Sequence, residues 1–183
     1  MRKNFISNAK DVINLEIKAL QNLKKNLNKT FNEAVIQISK CQSKVIMCGV
    51  GKSGIIASKI AATLASVGTP SFSLSASEAS HGDLGMISKK DILILISNSG
   101  DTNELKNIIQ YAKRNKILLI GIVSKKDSIL YKASDIKLLT PKVIEAGRII
   151  PTASTTTQLA LGDALAIATM KYKKFGKKEF KKF

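Results

Sequence analysis

Two short stretches of this chain hold residue types that bind anions. They are Gly49-Val-Gly-Lys-Ser-Gly54 and Ser97-Asn-Ser-Gly-Asp-Thr102. Each follows an apolar run, Val45-Ile-Met-Cys48 in the first case and Asp91-Ile-Leu-Ile-Leu-Ile96 in the second, and each leads into residues with helical spacing. A strand, a turn and a helix start bring free backbone N–H groups and the positive end of a helix dipole to one point. The glycines let the backbone approach a ligand closely, and Ser53, Ser97, Ser99 and Thr102 can each donate to a phosphate oxygen. Lys52 stands beside Ser53, where an anion would balance its charge. The alternative for the second cluster is that its hydroxyls cap the helix at Asn103. One cap needs one such residue, and this cluster holds three.

Two nucleotide motifs overlap the first stretch. Gly49, Gly51 and Gly54 match the dinucleotide fingerprint letter for letter, but that motif also needs an acidic residue closing the second strand. The second strand, Ser71 to Leu74, is followed by Ser75, Ala76 and Ser77. Gly51-Lys-Ser53 supplies the end of a Walker A motif, whose leading glycine is replaced by Ile46. A smaller anion site, the size of one phosphate, is what remains.

The elements that position these clusters alternate. Strands are expected at 45–48, 71–74, 91–96, 117–123 and 135–139. Helices are expected from 55 to 67, from 103 to 113 and from 152 to about 171. Residues 75–86 read as irregular. This pattern predicts an α/β fold, a three-layer α/β/α sandwich with a five-stranded parallel sheet in the flavodoxin-like order 2-1-3-4-5. In that order strands 1 and 3 are neighbours, and the two clusters meet at the switch point where ligands bind. Residues 1–41 are expected to form an N-terminal helical extension packing on the domain at 42–175, and residues 176–183 a basic tail; the lysine-rich stretch from Lys171 to Phe183 is expected to be peripheral.

Composition narrows the class. The net charge is +17, with 30 basic residues, of which only Arg2, Arg114 and Arg148 are arginines. The lysines are spread along the chain and there is no Trp, which argues against nucleic acid, whose readers favour Arg forks and stacking aromatics. A positive field does suit collection of an anionic sugar phosphate. No run of 18 apolar residues suggests a membrane span, and the first ten residues lack a secretory apolar region. Cys41 and Cys48, without C-x-x-C spacing, read as reduced structural thiols.

Several blocks together resemble the SIS domain, the sugar-phosphate module of aldose–ketose isomerases, and within it the arabinose 5-phosphate isomerases. They are Gly49-Val-Gly-Lys-Ser-Gly54, Gly68-Thr-Pro-Ser-Phe72, Glu78-Ala-Ser-His-Gly-Asp-Leu-Gly-Met86, Ile96-Ser-Asn-Ser-Gly100, Pro151-Thr-Ala-Ser-Thr-Thr156 and Gly162-Asp-Ala-Leu165. The resemblance implies interconversion of D-ribulose 5-phosphate and D-arabinose 5-phosphate through an enediol, in lipopolysaccharide sugar synthesis, with no metal or other cofactor. It implies a cytoplasmic homo-oligomer, typically a tetramer, with no nucleic-acid or membrane partner. By position, Gly51, Ser53, Ser97, Asn98, Ser99 and Thr102 would hold the phosphate, and Lys52, His81, Asp101 and Glu145 would form the catalytic set. Proton transfer between C1 and C2 needs a carboxylate and a donor for the developing oxyanion. Glu145 is assigned as base, Lys52 as the enediolate's cation, His81 as hydroxyl proton shuttle or aid to ring opening of the aldose, and Asp101 as the group that orients the sugar or shares the proton work. The family pattern has Glu at the position of Asp101. It also continues past the point matching Phe183 into a His-Pro-Gly-Gly-type segment and, in many members, a pair of CBS domains. The competing readings are a non-catalytic sugar-phosphate sensor and an isomerase of another ketose phosphate.

Overall fold

A computed structural model describes residues 5–79 and 82–180. The chain runs α1 (Phe5–Asn26), α2 (Lys29–Ser39), β1 (Val45–Gly49), α3 (Lys52–Ser66), β2 (Ser71–Ser75), α4 (Ala76–Ala79), β3 (Ile92–Ser97), α5 (Asn103–Arg114), β4 (Leu118–Val123), α6 (Ile129–Ala133), β5 (Ile136–Leu139), α7 (Ala153–Tyr172) and α8 (Lys177–Phe180). Short 3-10 turns cover Asp83–Met86 and Ala146–Arg148. The five strands form one parallel sheet in the order β2-β1-β3-β4-β5, as the alternation of elements predicts.

The central strands are buried on both faces, which is why they read as unbroken apolar runs. Alternate residues serve two cores. Val45 and Met47 join Ile94, Ile96 and Ile122 beneath α2, α3 and α7. Ile46 and Cys48 join Leu93, Leu95 and Leu119 beneath α5 and α6. Each such fully buried aliphatic side chain contributes about 1.5–3 kcal/mol relative to exposure. Burial also pushes the Cys48 thiol up to about 12, against a weaker opposing hydrogen bond from Gly49, so this sulfur stays protonated and inert.

The N-terminal helices belong to the first core. α1 packs on α7, and α2 packs on α7 and β5. The Thr30 hydroxyl donates to the Lys137 carbonyl at 3.0 Å, tying α2 to the sheet edge. Three features differ from the sequence reading. Residues 76–79, expected to be irregular, form the short helix α4. α6 lies in a stretch without a recognisable pattern, because five residues are too few to show helical periodicity. The segment after residue 171, expected to be peripheral, is anchored. The Lys173 ammonium donates to the Gly68 carbonyl at 2.6 Å, and the Phe175 ring lies where a Cβ on Gly68 would sit, 2.5 Å from it.

At the opposite edge of the sheet from the glycine turn, one buried carboxylate joins two elements. The Asp91 side chain is fully buried and pairs with Lys44 at 3.0 Å, while accepting from the backbone N–H of Ser88 at 2.6 Å and of Lys44 at 3.3 Å. Burial works to raise its pKa, but the hydrogen bonds from Ser88, Ser43 and Lys44 outweigh it and hold it below the ordinary 3.8. A depressed folded-state pKa means that the stabilisation is complete above the unfolded value and is lost as pH falls through the folded one. Asp91→Ala should cost about 3 kcal/mol in urea unfolding at pH 7, because it strands buried donors. Asp91→Asn should flatten the acid limb of the stability curve below pH 4 relative to wild type; an unchanged acid limb would remove Asp91 from the linkage.

Candidate active site

The glycine turn after β1 is built by close approach. A Cβ on Gly49 would meet the Ser53 backbone at 2.8 Å, and one on Gly54 would meet the Gly49 carbonyl at 2.8 Å. Only glycine at both positions lets the end of β1 touch the first turn of α3. That contact sets Gly51, at φ +57°, as the residue capping α3, with Lys52 and Ser53 as its first two residues. Lys52 is exposed, and the Ser53 hydroxyl donates to Gln158 Oε1 of α7 at 3.1 Å.

The serine loop after β3 is pre-organised by its own hydroxyls. Ser97 Oγ lies 2.8 Å from Thr102 Oγ1 and 3.5 Å from Ser99 Oγ, and accepts from the Gly100 N–H at 2.9 Å. The Asp101 N–H donates to Ser99 Oγ at 3.3 Å. From behind, the N–H and hydroxyl of Ser124 both donate to the Asn98 carbonyl, at 3.2 and 2.7 Å. Gly100 adopts φ +74°, and a Cβ there would sit 2.6 Å from both Val123 and Ser128. The loop is therefore a fixed cradle of hydroxyls and backbone donors at the start of α5. Thr102 is the residue before that helix, and its hydroxyl faces Ser97 rather than capping the backbone of α5.

Beside the α3 turn lies a cleft of about 420 Å³ lined by Gly51, Gly54, Ser58, Ser73, Ser75 and Glu104 among others. It takes its walls from the C-terminal ends of β1 and β2 and from the first turns of α3 and α5. The Ser58 and Ser73 hydroxyls lie 3.0 Å apart, and those of Ser75 and Ser77 2.8 Å apart. A polyhydroxyl chain meets matching donors and acceptors here.

The four expected catalytic residues fall in different places. Lys52 stands at the start of α3, next to the cleft. His81 lies outside the described residues. Asp101 turns away from the cleft: its carboxylate accepts from the Ile129 N–H at 2.9 Å, at the start of α6. The carboxylate in the cleft wall is Glu104, three residues later. Glu145 Oε2 accepts from the Thr152 N–H at 2.8 Å, the Thr152 hydroxyl at 3.3 Å and the Ser154 N–H at 3.2 Å, all at the start of α7. Burial works to raise the Glu145 pKa, but hydrogen bonds from Ser154 and Thr152 outweigh it and hold the group below its ordinary value. Among the described residues no group of three or more His, Cys, Asp or Glu is placed to hold a metal ion. Nor is any helix there long and apolar enough to cross a membrane.

Residues 37–168 match the SIS domain family. The chain belongs to that family. Arabinose 5-phosphate isomerase KdsD of Yersinia pestis is 45% identical to this SIS domain over 179 residues, which are 97% of this chain and 55% of that protein. KdsD of Francisella tularensis is 44% identical over 182 residues, 97% of this chain and 56% of that protein. The chain thus spans about half the length of the curated relatives it matches. Among solved structures, E. coli CFT073 c3406 in complex with arabinose 5-phosphate superposes with a TM-score of 0.94 at 39% identity, over 99% of this chain and 97% of that one.

Two parts of the SIS domain's cleft escape the motif reading. The alternation Ser71-Phe-Ser-Leu-Ser75 puts its serines on one side of β2, and a period of two was the available signal for Ser73 and Ser75. Glu104 carried no motif signal; only its place in the first turn of α5 distinguishes it. The geometry of Glu145 gives a direct test. In a carbon-13 titration its side-chain carboxyl should show a midpoint below 4.5, the value of a free glutamate. Thr152→Val together with Ser154→Pro, which remove the Thr152 hydroxyl and the Ser154 N–H, two of its three donors, should move the midpoint upward; no movement would refute hydrogen bonding as the cause.

Proposed function

We propose that this chain is a sugar-phosphate isomerase that interconverts D-arabinose 5-phosphate and D-ribulose 5-phosphate in the cytoplasm. The observation that carries the reading is the whole-length likeness to E. coli CFT073 c3406 in complex with arabinose 5-phosphate, together with the KdsD relatives. The site supplies what the reaction needs. The phosphate sits against the starts of α3 and α5, held by Ser53, Ser97, Ser99, Thr102 and the backbone of Gly51 and Asn98. The open-chain sugar extends into the serine-lined cleft. There a carboxylate removes the C2 proton of the aldose as the C1 carbonyl becomes an enediolate oxygen, which Lys52 stabilises. Returning the proton to C1 as the O2 hydroxyl loses its own gives the ketose.

Of the two glutamates, Glu104 is the better placed base. It stands in the cleft wall, whereas three donors at the start of α7 lower the basicity of Glu145 and hold it as a fixed anion there. Asp101 contributes to the start of α6 rather than to the proton transfer. His81 is proposed as the hydroxyl proton carrier.

Incubation of the chain with D-ribulose 5-phosphate in deuterated buffer, followed by proton NMR, should give arabinose 5-phosphate with deuterium at C2. Glu104→Gln should lower turnover by about 10²–10⁴-fold while phosphate affinity is kept, and Asp101→Asn should lower it far less. Equal losses in both variants would overturn the choice of Glu104. Binding without any turnover in the wild-type chain would favour the sensor reading over the enzyme.

We also propose that the chain acts as a homo-oligomer. α1 leaves Phe5, Ile6, Ile13 and Ile17 exposed along its length, and Ile149 and Ile150 are exposed in the segment before α7. Ile6, Ile13 and Ile17, seven and four residues apart, share one face of α1, and an apolar helix face left uncovered suits an interface. Ile13→Lys with Ile17→Lys should lower the mass seen in light scattering by at least half; an unchanged mass would remove α1 from the interface.

A further inference from the structure

Gln158 lies in the second turn of α7, is 1% exposed, and is the acceptor for the only hydroxyl proton of Ser53. That bond conflicts with the role of Ser53 as a phosphate donor. A serine whose proton points at Oε1 offers a phosphate dianion only lone pairs, and lone pairs facing lone pairs repel. The glutamine side chain contains the remedy. Turning its amide over places Nε2 where Oε1 stood, with no change in heavy-atom positions, and Nε2 can only donate. The Ser53 oxygen then accepts from Gln158, and its proton is free to point at the ligand.

We infer that Gln158 is a positioning residue that directs the Ser53 hydroxyl proton, inward when the anion site is empty and outward when phosphate is bound. The inference rests on the reading of Ser53 as a phosphate ligand. Its surroundings suit a fixed pivot. Four residues before it on the same face of α7, the Ser154 N–H holds Glu145 at 3.2 Å. Four residues after it, Gly162 lets α7 settle onto Ile60 of α3, where any Cβ would clash with the isoleucine side chain. The backbone of α7 is thereby locked against the helix that carries Ser53. The amide rotation is the freedom that remains, and in the bound state the site gains a charge-assisted hydroxyl donor.

The test is a double-mutant cycle on the whole chain, read as the dissociation constant of inorganic phosphate by phosphorus-31 NMR and as KM and kcat for arabinose 5-phosphate. Gln158→Glu can only accept, so it should trap the Ser53 proton. Gln158→Met can neither donate nor accept. In the Ser53 protein we expect phosphate affinity to fall about tenfold or more for Gln158→Glu and about threefold for Gln158→Met, with KM rising in step and kcat nearly constant. In the Ser53→Ala background the effect of Gln158→Met should vanish and that of Gln158→Glu should shrink to less than about threefold, the remainder being the through-space charge of the glutamate. Equal fold-changes in the two backgrounds would overturn the inference, since packing or charge alone acts without Ser53. A drop in kcat rather than a rise in KM would overturn it too. Should Gln158→Glu fail to fold, Gln158→Met carries the same comparison. Wild-type chain that binds no phosphate would instead overturn the sugar-phosphate reading itself.

Discussion

The whole arrangement depends on a parallel sheet buried on both faces. Helices cover it above and below, so the central strands can present nothing but apolar side chains, and their interiors are closed to chemistry. Parallel strands also all end on the same edge. Polar residues are therefore driven to that edge, where each strand hands over to a helix whose first N–H groups lack partners. The chain places Gly49 to Ser53 at one such handover and Ser97 to Thr102 at the next, on adjacent strands. An anion site there follows from the topology, before any side chain is considered.

This explains which parts were legible in the sequence. β1 and β3 announce themselves as unbroken apolar runs because burial on two faces demands it, and the alternation of strands with helices makes the sheet parallel. The glycines at 49 and 54 are readable because a backbone contact leaves no room for a Cβ. Side-chain direction at a helix start is another matter. Asp101 and Glu104 are three residues apart, and both are acidic groups near the N-terminus of α5, which suits the helix dipole equally. Which one faces the cleft is decided by α6, whose first N–H captures Asp101. α6 has five residues and no periodic pattern, so the deciding partner was invisible, and its consequence with it. The serines of β2 were readable in principle, from a period of two, but β2 is an edge strand whose mixed burial blurs the pattern.

Glu145 shows how one group can meet a structural and a chemical demand together. The first turn of α7 has N–H groups to satisfy, and the Glu145 carboxylate takes two of them. A helix start that holds a protein carboxylate has no need of a second anion, so α7 is removed from competition for an anionic ligand. Among the described residues, the N–H groups at the starts of α3 and α5 hold no carboxylate; there the chain supplies hydroxyls and glycines, and Asp101 is drawn off to the start of α6. Charge is thus distributed by subtraction. With a net charge of +17, the protein attracts anions broadly, and the carboxylates of Asp101 and Glu145 close the starts of α6 and α7 while those of α3 and α5 are left open.

α7 is the element that makes these local choices act together. Its first turn fixes Glu145, its second turn touches Ser53 through Gln158, and its third lies against α3 at Gly162. Residues 154, 158 and 162 are one helical face, so the carboxylate of Glu145 and the hydroxyl of Ser53 are held in register by 3.6-residue geometry and not by loops. A displacement of α7 by a fraction of an ångström would alter both at once. That coupling accounts for the small residue at 162: a longer side chain would lift α7 from α3 and separate Gln158 from Ser53. Close helix packing far from the sugar is in this sense part of the site, because it sets the distance over which a single hydroxyl proton can be directed.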